Sequence, residues 1–352
     1  MRILIIKTSS LGDVIHALPV LEYLRQAAPG AVIDWAVDEA FSDLVSGNPL
    51  VERLLPVAFR RWKKAPLSAQ TRQEVLAFIR ELRQQRYDLV FDLQGNSKSG
   101  MVCWLTRSRR KIGFDREHLQ EKLNTLFTTE QVSFLPTDRN AVQRYLRVVS
   151  APFSLLPDGL VTHSDIATSA ADDGFVERVL STAGSPLILL HTGTTWQTKL
   201  WFEDGWLELG QQLLQKYPSA TLLFSWGNDE EKERAEQLAV GVGGRACLLP
   251  QLSLKQFAAV LKRCDLVIGG DTGPVHLAAA VGTSTVSFYR CTDGLRNGPY
   301  GTQHAIIQSP LPCTICMRKQ CDQDEDCRRS ITPTALFEAA ERLLAQGRKG
   351  TP

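Results

Sequence analysis

The sequence predicts an α/β protein of two doubly wound, Rossmann-like domains that face a cleft. Short apolar, β-rich runs alternate with amphipathic helical patterns, the alternation stops once near the middle of the chain, and it then restarts. Strands that alternate with helices form parallel sheets covered on both faces. In such sheets ligands bind beyond the carboxyl ends of the strands, so we expect functional residues there.

The first domain is predicted over residues 1–160. Its predicted strands are Arg2–Lys7, Val32–Val37, Arg53–Val57, Tyr87–Leu93 and Lys111–Phe114. The clearest helix between them is Gln70–Gln85, where apolar residues recur at helical spacing. The following segment, SLLPDGLVTHSDIATSAADDG, is rich in Pro, Gly, Ser and Asp and predicts a connection between domains.

The second domain is predicted over residues 175–331. Its predicted strands are Pro186–His191, Ala220–Trp226, Ala246–Leu249, Asp265–Gly269 and Thr283–Tyr289. Its predicted helices are Glu203–Lys216, Glu230–Val240, Leu254–Arg263 and Val275–Val281. Residues 332–352 carry a last helix, near Pro333–Gln346, which is a candidate for returning to the first domain.

The bulk composition fits this organisation. A length of 352 residues suits two cores better than one. A formal net charge of +2 argues against a general nucleic-acid binder. We find neither a signal-peptide pattern nor a run of ~20 apolar residues, so we expect a cytoplasmic protein, and we expect a monomer. Its eight cysteines are then thiols or metal ligands rather than disulfides.

The loop after the first strand differs from a dinucleotide-binding turn. RILIIKTSSLGDVIHALP has one glycine, Gly12, followed by Asp13, where a Rossmann turn would carry GxGxxG. Since neither half of the chain has that fingerprint, a dehydrogenase is disfavoured. Asp13 lies at a strand end and a helix start, so it either caps the helix or serves as a catalytic carboxylate. His16, one turn further on, either orients this acid or packs.

Two segments of the second half predict a phosphate site. LVIGGDTGPVHLAAAVG joins a buried strand to a helix start, where free N–H groups bind anions. Asp271 and His276 are its candidate polar residues, and the alternative is a structural cap and an exposed helical residue. In LILLHTGTTWQTKLWFEDGW, the hydroxyls of Thr194 and Thr195 can donate to phosphate oxygens, and Lys199 can supply the opposing charge.

A third segment, LLFSWGNDEEKERAEQLA, places acids directly after a strand. These acids either accept a hydrogen bond from a ribose hydroxyl or complement the helix dipole, which favours acids in any first turn. Together the three segments predict a nucleoside diphosphate site in the second domain. Trp201 and Trp206 are predicted to be packing residues.

Taken in order, these motifs resemble the lipopolysaccharide heptosyltransferases, glycosyltransferase family 9. KTSSLGDVIHALP resembles the family's opening motif, and TTWQTKLW, SWGNDEEKERA, LPQLSL and GGDTGPVHLAAA resemble its nucleotide-site motifs. VAFRRWKKA and DLQGNSKSG resemble its acceptor-side segments. The resemblance implies a GT-B fold, an ADP-heptose donor (ADP-L-glycero-β-D-manno-heptose), a Kdo-lipid A-type acceptor, and inversion without a metal or other cofactor.

The resemblance also implies roles for individual residues. Asp13 matches the catalytic base, while Ser10 and Gly12 supply the turn before it and join the acceptor side. Lys199 matches a group that holds the diphosphate. Glu231 matches the ribose-binding acid, and Leu252 lies where the adenine pocket is expected. The other donor-side matches are Thr194, Thr195, Asp271, Thr272, Gly273 and His276.

A basic segment is predicted to meet the acceptor. Around Trp62, in what we predict to be a short loop after a strand, lie Arg60, Arg61, Lys63 and Lys64. A solvated basic loop is the alternative. Lysine and arginine clusters bind phosphates and carboxylates, and they can also hold a protein to the inner face of the cytoplasmic membrane. Lys98 is expected to join this cluster.

A cysteine-rich segment, PCTICMRKQCDQDEDCRR, looks like one found in some members of the family. Its four thiols are Cys313, Cys316, Cys321 and Cys327. The first two have the C-x₂-C spacing of a zinc knuckle, but the next gap is short for a two-knuckle site. A structural zinc, packed free thiols and disulfides formed after lysis stay open. Buried apolar positions are predicted for Cys103, Cys247, Cys264 and Cys291.

The leading hypothesis is an inverting glycosyltransferase that passes heptose from ADP-heptose to the Kdo region of lipopolysaccharide. Another nucleotide-sugar glycosyltransferase of core assembly is the nearest alternative. A sugar-nucleotide epimerase or hydrolase of the same fold would consume the donor without an acceptor. A nucleotide-sugar binding or assembly protein would retain its function after Asp13→Asn.

Overall fold

A computed structural model of the protein describes residues 1–119, 121–157 and 166–347. The chain divides into two compact units, Met1–Ala167 and Thr168–Pro352. Residues 158–165 of the predicted connection lie outside the described residues, and so do residues 348–352. The end of that predicted connection forms a helix instead, because Ser169 caps a turn that begins at Ala170.

Unit 1 contains one parallel sheet of six strands. These are β1 (Arg2–Ile6), β2 (Val32–Asp38), β3 (Arg53–Val57), β4 (Leu89–Asp92), β5 (Lys111–Phe114) and β6 (Glu130–Val132). Its helices are α1 (Leu11–Ala17), α2 (Pro19–Ala27), α3 (Ser42–Val45), α4 (Phe59–Lys64), α5 (Ala69–Arg83), α6 (Ser97–Leu105) and α7 (Ala141–Ser150). The strand order is β3-β2-β1-β4-β5-β6. The central strand β1 is apolar throughout Ile3–Ile6 and fully buried there, because helices cover both faces of a parallel sheet.

Unit 2 contains a second parallel sheet of six strands. These are β7 (Leu187–His191), β8 (Thr221–Ser225), β9 (Ala246–Leu248), β10 (Leu266–Gly270), β11 (Thr285–Tyr289) and β12 (His304–Gln308). Its helices are α8 (Ala170–Val179), α9 (Glu203–Lys216), α10 (Asp229–Val242), α11 (Leu254–Arg263), α12 (Gly273–Ala280), α13 (Gly294–Asn297), α14 (Asp324–Arg329) and α15 (Pro333–Gly347). The strand order is β12-β11-β10-β7-β8-β9. Counted from the first strand of each unit, both sheets have the doubly wound order 3-2-1-4-5-6. The predicted pair of doubly wound domains is therefore confirmed.

The core of unit 2 forms between its sheet and the helices packed on it. Trp201 and Trp206 lie in this core as predicted, with ring centroids 5.0 Å apart in an edge-on arrangement. Helix α15 contributes Leu336 and Leu343 to the same core. The expectation that the last helix returns to the first domain is therefore corrected. No helix among the described residues is both long and apolar enough to cross a membrane.

Other elements also differ from the sequence prediction. The basic segment after β3 is the helix α4 rather than a loop. Strands β6 and β12 were not predicted, and both lie at sheet edges. Edge strands lack a neighbour on one side, so their side chains are only partly buried and the apolar signal in the sequence is weak.

Candidate functional site

In both parallel sheets the direction in which successive strands are added reverses between the two central strands, β1 and β4 in unit 1 and β10 and β7 in unit 2. Doubly wound folds bind ligands at this switch point, beyond the carboxyl ends of the strands. Asp13 follows β1, Gln94 follows β4, Lys199 follows β7 and Asp271 follows β10. The residues singled out in the sequence therefore lie where the topology directs a ligand.

Asp13 lies in the first turn of α1, at the third helical position. The N-cap of α1 is Ser10 and not Asp13, so Asp13 supports the helix start from within the first turn. Asp13 Oδ2 accepts hydrogen bonds from Ser10 N at 3.0 Å and from Ser10 Oγ at 2.9 Å. Its other oxygen, Oδ1, accepts a bond from Tyr145 OH at 3.3 Å. The carboxylate therefore supports the helix start with one oxygen, while its side chain stays 44% exposed.

A buried lysine controls the charge of Asp13. Lys7 Nζ lies 3.9 Å from Asp13 Oδ1 and 5.0 Å from the centroid of the Tyr145 ring, and only 3% of the Lys7 side chain is exposed. Partial burial alone would raise the pKa of Asp13, but Lys7, the two bonds from Ser10 and the nearby His16 together lower that pKa to about 2. His16 is itself buried and acts on the charge of Asp13, and both of its predicted roles, orienting the acid and packing, stay open. Asp13 is thus ionised at neutral pH, as a proton acceptor must be.

The loop between β1 and α1 is held by the β4 side of the sheet. Gln94 Oε1 accepts bonds from Thr8 N at 3.1 Å and from Ser9 N at 2.8 Å. Gln94 N in turn donates to the fully buried Asp92, which also accepts a bond of 2.7 Å from Asn124. The segment DLQGNSKSG therefore fixes the backbone that carries Ser10 and Asp13.

The basic residues of α4 are not equivalent. Arg61 is bound by two carboxylates, Glu39 at 2.8 Å and Glu74 in a shorter contact. Arg60 lies over the Phe41 ring at 5.5 Å and is exposed, and the remaining exposed cations of α4 are Lys63 and Lys64. Lys98 joins them as expected, because its Nζ lies 5.8 Å from the centroid of the Phe59 ring on α4.

In unit 2 the structure joins Lys199, Asp271 and His276 into one network. Lys199 Nζ donates to Asp271 Oδ2 at 2.7 Å and to the Asp271 carbonyl oxygen at 3.3 Å. His276 Nε2 lies 3.2 Å from Asp271 Oδ1. Burial would raise the pKa of Asp271, but His276 and Lys199 hold that pKa well below its usual range. The alternative of a structural cap and an exposed histidine is wrong, because Thr272 is the N-cap of α12 and His276 is buried.

Trp196 packs between two lysines beside this network. Lys199 Nζ lies 4.9 Å and Lys319 Nζ 5.0 Å from the centroid of the Trp196 ring. Thr198 anchors the same loop, since its hydroxyl donates to the Arg318 carbonyl oxygen at 2.6 Å. The loop that carries Lys199 is therefore bound directly to the cysteine-rich segment.

The side chain of Glu231 packs against the loop after β7, at Gly193. A Cβ atom placed on Gly193 would lie 2.3 Å from Glu231 Cδ, so the acid can pack there only because residue 193 has no side chain. Glu231 Oε2 also accepts a bond of 2.8 Å from Gly227 N. The two predicted roles for these acids were complementing the helix dipole and binding a ribose hydroxyl. Asp229 and Glu230 lie in the first turn of α10, where they complement the dipole. The side chain of Glu231 instead lies against the loop after β7.

The remaining donor-side candidates lie on the same rim of unit 2. Thr194 and Thr195 are partly or fully exposed, and Thr194 Oγ1 accepts a weak bond of 3.5 Å from Trp196 N. Gly273 is the first residue of α12, next to the N-cap Thr272. Leu252 is half-buried and directly precedes Ser253, the N-cap of α11.

The cysteines are free thiols in the structure. Cys313 and Cys316 are exposed, and Cys321 and Cys327 are partly buried. Among the described residues no three His, Cys, Asp or Glu side chains are placed to hold one metal ion, and the structural zinc stays a prediction. Cys247 was predicted to be buried but is exposed, because it lies on the short edge strand β9.

Sequence reasoning missed Lys7, Tyr145 and Trp196. A lysine at a strand end is usually solvated, and the signal that could have found Lys7 is its place directly after four buried apolar residues. Tyr145 lies on α7, 132 positions from Asp13, so no local pattern connects the two.

Two doubly wound units with polar clusters at their switch points have the architecture expected of a GT-B fold. Residues 75–325 match the family Glycosyltransferase family 9 (heptosyltransferase), and the chain belongs to this family. It is similar to lipopolysaccharide heptosyltransferase 1 of Pseudomonas aeruginosa, with 37% identity over 91% of this chain and 87% of that protein. The enzyme of the same name from Escherichia coli K12 is 35% identical over 91% of this chain and 97% of its own. The structure of E. coli heptosyltransferase WaaC with ADP has a TM-score of 0.78 and 32% identity, covering 97% of this chain and all of that one.

Proposed function

We propose that the protein transfers L-glycero-D-manno-heptose from ADP-heptose to the Kdo region of lipopolysaccharide, with inversion at the anomeric carbon. The observation that carries the donor side is the network of Lys199, Asp271 and His276 at the switch point of unit 2. The similar WaaC structures contain ADP and ADP-2-deoxy-2-fluoro heptose, which supports an ADP-sugar as the donor.

In this proposal Lys199 stabilises the departing diphosphate. As the bond between the anomeric carbon and the phosphate oxygen breaks, that oxygen gains negative charge. A preorganised cation opposite developing charge lowers the barrier more than one that must be reoriented. Asp271 holds Lys199 in place by two bonds, and the helix start at Gly273 adds N–H groups that favour an anion. The ADP leaves with both electrons of the broken bond.

Asp13 is assigned as the general base. The acceptor hydroxyl attacks the anomeric carbon, and its proton moves to the carboxylate of Asp13. Because the pKa of Asp13 is about 2, the carboxylate is a weak base, and it accepts the proton as the attacked hydroxyl becomes acidic in the transition state. Attack on the face opposite the leaving diphosphate gives inversion.

The remaining assignments follow from placement. Glu231, held at the loop after β7, is the candidate acid for the ribose hydroxyls, and Leu252 is the candidate contact of the adenine. Arg60, Lys63, Lys64 and Lys98 are the candidate cations for the acidic groups of the acceptor. Because that acceptor is a lipid, we place the enzyme in the cytoplasm, peripheral to the inner membrane.

The test is a reconstituted reaction with ADP-heptose and Kdo-lipid A. We expect a heptosylated product whose new linkage has the anomeric configuration opposite to that of the donor, seen by NMR coupling constants. Thermal shifts with ADP, UDP and GDP should favour ADP, since a tight ligand raises the melting temperature by mass action. Loss of donor without acceptor would instead indicate a hydrolase or epimerase, and a preference for UDP or GDP would contradict the assigned donor.

A further inference from the structure

Four exposed apolar side chains lie on two short elements of unit 1. Met101 and Trp104 belong to α6, and Leu123 and Leu126 belong to the 3-10 turn Lys122–Leu126. Trp104 is 65% exposed and Leu126 is 76% exposed. We call these four residues the apolar patch. Large apolar side chains that cluster at a surface commonly mark an interaction site.

The two elements pack on each other through their inner faces. Gly100 of α6 lies against the Phe127 ring, and Cys103 Sγ contacts the Phe127 carbonyl oxygen at 3.5 Å. Residues three apart share a face both in an α-helix and in a 3-10 helix. Met101 and Trp104 therefore lie together, as do Leu123 and Leu126, on the sides of the two elements that the packing leaves exposed. Packing within unit 1 gives no reason for these four side chains to be apolar.

Exposed cations surround the apolar patch. Lys98 is the second residue of α6, Arg107 and Arg109 follow the end of that helix, and Lys122 begins the 3-10 turn. In the part of the chain that the structure describes, none of these four is within ion-pair distance of a carboxylate. The nearby acid Glu121 accepts a bond of 2.8 Å from Ser97 N, and Lys98 also acts on its charge, so Glu121 offsets part of the charge of Lys98 only.

We propose that the apolar patch and these four cations dock the enzyme on an anionic phospholipid bilayer. Leucine and methionine side chains bury in the acyl region, and tryptophan favours the boundary between acyl chains and headgroups. Lysine and arginine at the rim then meet the lipid phosphates. Lys98 contacts Phe59 of α4, so the docking surface is continuous with the basic residues assigned to the acceptor. The inference rests on the proposed function, in which the acceptor is itself a membrane lipid.

The test is sedimentation of the full-length enzyme with vesicles of phosphatidylcholine, with and without phosphatidylglycerol. We expect binding only to the anionic vesicles, and we expect added salt to weaken it. Trp104→Ser combined with Leu126→Ser should reduce vesicle binding by about tenfold or more. The control is Val240→Ser, which removes another exposed apolar side chain, on α10 of unit 2, and should change nothing. Lys122→Glu with Arg109→Glu gives an independent test of the cations.

Activity on a water-soluble, deacylated acceptor separates this inference from the proposed function. We expect the Trp104 and Leu126 variant to keep full turnover on the soluble acceptor and to lose turnover on acceptor embedded in vesicles. Equal vesicle binding by wild type and this variant, or equal binding to neutral and anionic vesicles, overturns the docking surface. A dimer that the variant abolishes would also overturn it and would assign the patch to a second copy. Absence of transfer to either acceptor would overturn the proposed function instead.

Discussion

The ammonium group of Lys7 lies 3.9 Å from the carboxylate of Asp13, although Lys7 is almost wholly buried and Asp13 is nearly half exposed. Burial lowers the pKa of Lys7, whereas Asp13 and Asp92 raise it. The lysine is therefore placed to act on Asp13 and has little access to solvent.

Replacing Lys7 should change the pH dependence of the reaction. Lys7→Met removes the positive charge that lowers the pKa of Asp13, so that pKa should rise. In the wild type, Asp13 should stay ionised and cause no loss of kcat/KM down to about pH 4. In the variant, the acid limb of the kcat/KM profile should move to higher pH. Lys7→Arg, which keeps the charge, should move it less, and an unchanged profile for Lys7→Met would contradict a role in positioning or charging Asp13.

Asp13→Asn should reduce kcat by about 10²–10⁴-fold, because the acceptor hydroxyl loses its base. The amide oxygen can still accept from Ser10, so the melting temperature and the thermal shift with ADP should be preserved. A matched control exists at the start of α8, where Asp172 accepts bonds from Ser169 N and Ser169 Oγ in the same pattern. Asp172→Asn should leave kcat unchanged. Equal kcat of Asp13→Asn and wild type would remove Asp13 as the base.

Lys199→Ala should lower turnover more than donor binding. Losing one preorganised donor to a developing negative charge typically costs about 3–4 kcal/mol of transition-state stabilisation. The comparison is Lys319→Ala, which removes the other lysine over Trp196 but leaves the bonds to Asp271 intact. Steady-state kinetics with varied ADP-heptose distinguish the two effects. A raised donor KM with unchanged kcat would show that Lys199 only binds the substrate.

The two arginines of α4 should respond differently to charge reversal. Arg60→Glu should weaken use of the acceptor and spare donor binding, because Arg60 is exposed and has no carboxylate in ion-pair contact among the residues that the structure describes. Arg61→Glu should instead lower the melting temperature, since it places a third acid beside Glu39 and Glu74. Acceptor KM and thermal melts of both variants check this. Equal loss of acceptor use with unchanged melting would assign both residues to the acceptor.

A buried histidine should make the fold sensitive to acid. Burial lowers the pKa of His191 from 6.5 to about 4, and its Nδ1 lies 3.0 Å from Ser225 Oγ. The unfolded chain therefore binds a proton at higher pH than the folded one, so stability is lost as the pH falls from about 6.5 toward 4, by up to about 3 kcal/mol. The free energy of unfolding in urea at pH 7 and pH 4.5 measures the loss. His191→Gln should reduce the difference, because it removes the group that gains a proton on unfolding.

The sequence predicted the sheets well because their central strands are apolar and their helices are periodic. Ten of the twelve strands were predicted, and the two missed ones, β6 and β12, are edge strands whose exposure weakens the pattern. The sequence predicts a loop in place of helix α4 because four of its six residues are cations. Its two apolar residues, Phe59 and Trp62, are too few to show a helical pattern, although both pack on the core.

The candidate site was predicted in its residues but not in its contacts. Strand ends and helix starts indicated Asp13, Lys199 and Asp271, since sheet topology directs ligands there. The bond from Tyr145 to Asp13 and the packing of Trp196 between two lysines depend on tertiary structure, which no spacing reveals. The difference in ion pairing between Arg60 and Arg61 likewise depends on tertiary structure, because the acids that bind Arg61 come from two other elements.

The close approach of Gly193 to Glu231 couples two positions that are 38 residues apart in the chain. Alanine at position 193 alone would displace the carboxylate of Glu231 from the loop after β7. A shorter residue at position 231 would leave room for that alanine. The two sites are therefore expected to mutate as a pair, and an engineered library aimed at a different nucleotide should randomise both together.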